Sequence, residues 1–110
     1  MTQMNGAQAL TRQLQAEGSD TVFALPGAQI MSAFDAMYEV RDTISLIQTR
    51  HEQATTYMAD GYAKVTGKPG VAMVVPGPGA LNATSGLGTA YACSSPVLLI
   101  SGQIPSMFLG

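Results

Sequence analysis

An α/β fold, with a doubly wound parallel sheet in three layers, is predicted by three features of the sequence. Short apolar segments of strand composition alternate with stretches of helical spacing from one end of the chain to the other. The connections between those strands are helical crossovers, too long for hairpins, so the strands must pair in parallel. Right-handed crossovers then place helices on both faces of the sheet.

The elements follow in order. Ala7, Leu10 and Leu14 share one helical face within residues 4–17, and Gly18 stands where a helix C-cap is expected. Residues 21–25 (TVFAL) read as a strand ended by Pro26-Gly27, and Ile30, Phe34, Met37 and Tyr38 then recur at helical spacing. The unit repeats as a strand over 44–48 and a helix over 51–66 closed by Gly67, and again as a strand over 71–75 and a helix over 81–92. Residues 97–101 supply a fourth strand. In such sheets ligands bind beyond the C-terminal strand ends. Pro26-Gly27-Ala28 and residues 49–53, 76–82 and 102–105 therefore gather along one edge, and they are also rich in Gly, Pro and polar side chains.

At 110 residues the chain accommodates one modest domain. Charged residues make up only 11% of it, against roughly 25% in typical globular domains. None lies between Pro69 and Gly110. Proline and glycine interrupt this uncharged half well before the ~18 apolar residues that a spanning helix needs, so it reads as surface covered by other protein, not by membrane. A net charge of −2 without a basic cluster argues against nucleic acid. The N-terminus has neither the basic start nor the apolar core of a secretory signal, and Cys93 is the single cysteine. A cytoplasmic protein without disulfides is expected, with Cys93 buried as a small apolar residue and the methionines serving as core and interface filler.

Gly77-Pro78-Gly79-Ala80-Leu81-Asn82 follows a strand and opens a helix. It fails as a dinucleotide fingerprint, because Asn82 replaces the third glycine and no acidic residue follows; it also lacks the Gly-Lys-Ser/Thr of a Walker loop. A tight turn requiring glycine conformations is the simpler reading. Glu52 begins a helix just past the second strand, where a carboxylate either serves the helix dipole or acts as a desolvated acid. His51, beside Arg50, is expected at the surface or hydrogen-bonded, and Asp60, Gly61 and Tyr62 are expected to pack. Gln103 either orients a substrate or satisfies its own loop.

Taken in order, VFALPGAQI, RHEQATTYMADGYAKVTGKPGVAMVV and PGPGALNATSGLGTAYACSSPVLLISGQIP resemble the N-terminal, pyrimidine-binding domain of thiamine-diphosphate enzymes such as acetolactate synthase. The resemblance implies a flavodoxin-like α/β/α fold, with residues 1–110 forming a partial domain that lacks C-terminal strands and the central and diphosphate-binding domains. It implies that Glu52 hydrogen-bonds N1′ of the aminopyrimidine, favouring the imino tautomer whose 4′-nitrogen takes the thiazolium C2 proton. Pro78 and Asn82 would contact the ring, Gly27 and Ala28 would line its approach, and Gln103 would face the reacting carbon. The implied enzyme is a carboligase or decarboxylase acting on a small 2-oxo acid such as pyruvate, homodimeric or homotetrameric through the uncharged half. It would hold Mg2+ through a Gly-Asp-Gly…Asn segment that does not occur here, and in some family members FAD. The isolated chain would be inactive. Ala24, Leu25 and Ala28 depart from the glycine, tyrosine and glycine usual in acetolactate synthases, and the methyl group of Ala28 intrudes where backbone contact is expected. The competing expectation is a noncatalytic flavodoxin-like binding or assembly module.

Overall fold

Each strand is short and dominated by residues that suit a pleated, buried surface. In the computed structural model, which describes residues 3–110, they are β1 (Thr21–Ala24), β2 (Ser45–Gln48), β3 (Gly70–Val74) and β4 (Val97–Ser101). All pair in parallel in the order β2-β1-β3-β4. Val22 lies between Leu46 and Val71, and Met73 lies between Ala24 and Ile100, so the central strands are buried on both faces.

The helices are α1 (Gly6–Ala16), α2 (Met31–Glu39), α3 (Glu52–Thr66) and α4 (Pro78–Ala92), with single 3₁₀ turns at Ala28–Ile30 and Ser106–Phe108. Asn5 caps α1 in a box with Gln8, each side chain accepting from the other's backbone N–H, at 2.8 and 3.0 Å. Gly67 closes α3 with a φ of 72°. One face of the sheet packs Val22, Ala24, Val71 and Met73 against Leu14, Ala33 and Met37 of α1 and α2. On the other, Phe23 and Ala72 lie beneath Ala59 of α3, with Tyr62 edge-on to Phe23.

The alternation, the parallel pairing and the two covered faces agree with the sequence-based expectation. Three details differ. The last helix starts at Pro78, three residues before the expected 81, because proline suits the first helical position and Gly77, with φ 65°, makes the turn. The 3₁₀ turn after Pro105 was not foreseen. Cys93, expected to be buried, is exposed: it is the C-cap of α4, beyond the buried stripe that ends at Ala90. No helix among the described residues is long and apolar enough to cross a membrane.

Candidate functional site

Beyond β1 the chain crosses to β2 on one side, while β3 lies on the other, so the turns leaving β1 and β3 diverge around a crevice at the C-terminal edge. The β1 turn stays tied to its neighbours, with Leu25 N–H bonding the Met73 carbonyl at 3.1 Å and Thr49 N–H bonding the Ala24 carbonyl at 3.0 Å. Val75 stands between the two turns. A Cβ at Gly27 would run into Val75 Cγ1, and one at Gly79 would come within 2.6 Å of Val75 Cγ2. The φ of Gly27 is −173°, which any residue adopts, so space and not conformation demands glycine there.

Glu52 is the first residue of α3 and is half-buried. Its Oε2 accepts from Asn82 Nδ2 of α4 at 3.1 Å, and its Oε1 lies over Gly79, 3.6 Å from where a Cβ would sit. The carboxylate thus occupies the positive end of one helix beside the first turn of another. The two helices run close together. Thr56 Oγ1 donates to the Ala83 carbonyl at 2.7 Å, and α4 buries only small residues, Gly79, Ala83, Gly86 and Ala90. A Cβ at Gly86 would meet Thr56 Oγ1 and come within 2.7 Å of Tyr57 N.

Glu52 and Asn82 are therefore in direct contact, and Gly79, beside both Glu52 Oε1 and Val75, connects them to Gly27 on the other side of that valine. Pro78 is exposed at the head of α4. Ala28 faces a different space, a groove of about 270 Å³ shared with Leu10, Ile100 and Gly102. Gln103 is exposed, and its Oε1 accepts from Ile104 N–H at 2.9 Å, the local role that the sequence left open. Sequence reasoning missed Val75 and treated Gly79 as a turn residue; a glycine two positions after a turn glycine carried no signal of the valine across the crevice. A cavity of about 440 Å³ between Leu14, Val71, Leu98 and Lys68 lies at the opposite end of the sheet. Among the described residues no three acidic, histidine or cysteine side chains are grouped to hold a metal ion.

Residues 4–110 match the family described as "Thiamine pyrophosphate enzyme, N-terminal TPP binding domain". The chain belongs to that family. Among curated relatives, it is 43% identical over 107 residues to a probable acetolactate synthase large subunit of Methanocaldococcus jannaschii, covering 97% of this chain and 18% of that protein. It is 44% identical over 110 residues to the acetolactate synthase large subunit of Haemophilus influenzae, covering all of this chain and 19% of the relative. Against the acetolactate synthase isozyme 2 large subunit of Escherichia coli it is 44% identical over 107 residues, again 97% and 19%. The chain thus spans about a fifth of the length of the curated relatives it matches.

Proposed function

We propose that this chain supplies the pyrimidine-binding side of the active site in a longer carboligase or decarboxylase that acts on a small 2-oxo acid such as pyruvate, in the manner of acetolactate synthase. The observation that carries the proposal is the Glu52–Asn82 pair at the crevice, beside Val75, against which Gly27 and Gly79 close. Val75, half-buried where the two glycines close on it, offers a flat heteroaromatic ring an apolar face. The donor set fits as well. Glu52 Oε1 lies over Gly79 and is not used by Asn82, which retains its own Oδ1 as an acceptor for a ring amino group.

Thiamine diphosphate, when bound, would supply a thiazolium carbon that becomes a nucleophile for the substrate carbonyl once its proton has passed to the ring's own amino nitrogen. The chain's own task is to handle one proton. Glu52 holds it against the ring nitrogen that corresponds to N1′, and Asn82 keeps the carboxyl from rotating away. Pro78 offers a rigid apolar surface to the ring edge. Gln103 stands at the rim with its Oε1 held by Ile104 N–H, which leaves its Nε2 to donate toward a substrate. The diphosphate and its Mg2+ are held by a different domain, FAD is an optional companion in the complete enzyme, and the isolated chain does not turn over substrate. The uncharged surface after Pro69, with Leu81 70% and Tyr91 90% exposed, is covered by a second subunit.

Substituting Glu52→Gln in the complete enzyme tests this. Deuterium exchange at the cofactor's C2 should fall by at least two orders of magnitude, the scale of a lost general acid–base contribution of about 10²–10⁴. Exchange at the wild-type rate would remove Glu52 from the chemistry and favour a noncatalytic module.

A further inference from the structure

We infer that His51 is the positioning residue of Glu52, holding the acid in place through the N-cap of α3; this rests on the reading of Glu52 as cofactor activator. N-caps are normally serine, threonine, aspartate or asparagine, whose short side chains present an oxygen to the first turn. Here the chain's single histidine does that work. Its backbone is extended, with φ −151° and ψ 146°, and its Nδ1 accepts from Gln53 N–H at 3.2 Å. A nitrogen that accepts carries no proton, so the neutral ring is held as the Nε2–H tautomer. The buried Thr49 grips the same residue from behind, its Oγ1 donating to the His51 carbonyl at 3.0 Å, and that carbonyl also takes Ala54 N–H at 3.1 Å.

Glu52 is the next residue, so the geometry of this one turn sets where its side chain starts, while Asn82 sets where it ends. Charging the imidazole would fill Nδ1 and place a cation at the positive end of the helix. The charged residues beside His51 in sequence are Arg50 and Glu52. α4, the turn over 75–77 and the loop over 25–29 carry no charged residue. The cap thus depends on an Nδ1 that is free to accept, and through it the first turn of α3 supplies one of the two restraints on Glu52.

A lone histidine gives one pair of ring nitrogen signals, so ¹⁵N NMR of this chain reads the tautomer directly. The expected result is protonated Nε2 and unprotonated, hydrogen-bonded Nδ1 at neutral pH; an Nδ1–H tautomer would overturn the inference, and this holds even if no variant folds. In His51→Ala the Gln53 amide should exchange about fivefold faster, the equivalent of a lost cap. His51→Asn restores a side-chain acceptor at the cap and should recover the protection. Equal protection in all three proteins would also overturn it. In the complete enzyme, C2 exchange should fall in His51→Ala and recover in His51→Asn. If Glu52→Gln abolishes exchange but His51→Ala does not, the positioning role fails alone; if Glu52→Gln has no effect, the functional reading fails while the tautomer result stands.

Discussion

Two glycines press on one valine, and that contact shapes the crevice more than any charge does. In Gly79→Ala the new methyl group meets Val75 Cγ2 at 2.6 Å, a degree of overpacking that commonly costs about 1–3 kcal/mol. Urea unfolding should register the loss, and Val75→Ala in the same background should recover most of it, a non-additive pair. Full additivity would mean that the two side chains do not meet. At this scale the sequence was partly legible. Position alone left Glu52 open between serving the helix dipole and acting as an acid, and only the resemblance to thiamine-diphosphate enzymes assigned it and Asn82 to a cofactor. Their contact across 30 residues was not legible, because it depends on how closely α3 and α4 lie. For Gln103 both roles were compatible with its side chain, and the folded loop satisfies the local one.

Among the elements, α3 and α4 form the unit that carries the site. They begin together at the sheet edge, and small residues at 79, 83, 86 and 90 let their backbones approach. Gly86→Ala directs a methyl group at Thr56 and at the Tyr57 backbone nitrogen, 2.7 Å away, which cannot give as a flexible side chain would. The expected cost is again about 1–3 kcal/mol in urea unfolding. The displaced helix should also shift the Asn82 side-chain amide resonance. An unchanged resonance would separate the helix contact from the site. All four strands and all four helices were readable from apolar periodicity and from Gly and Pro punctuation. The start of α4 was not, because Pro-Gly signals a turn and a helical first position equally well.

The whole molecule divides its charge unevenly, and the ionic contacts sit away from the crevice. Asp20 receives the Tyr62 hydroxyl at 2.5 Å, the Thr21 hydroxyl at 2.9 Å and Lys68 at 3.4 Å, while the buried Asp60 holds Lys64 at 2.6 Å. The Tyr62 hydrogen bond, before the others, lowers the Asp20 pKa from its usual 3.8, and that of Lys64 does the same for Asp60. In return the Tyr62 phenol and the Lys64 ammonium are pushed up by their aspartate partners. For both carboxylates the folded value lies below the unfolded one, so their contribution to stability is present above about pH 4 and is lost as pH falls through the folded value. The melting temperature should therefore drop below about pH 4, and Asp60→Asn should remove part of that drop. A melting curve indifferent to acid in this range would discount both contacts.

The carboxyl of Glu52 is met by an amide and not by a cation. A lysine or arginine in that place would serve only one form of the acid, whereas an asparagine side chain carries a donor and an acceptor on the same plane. Turned one way, Asn82 donates to a carboxylate; turned over, it accepts from a carboxylic acid. An asparagine can thus meet either form of a carboxyl with no more motion than the flip of one side-chain amide, and the sheet and helices behind it need not register that anything has changed.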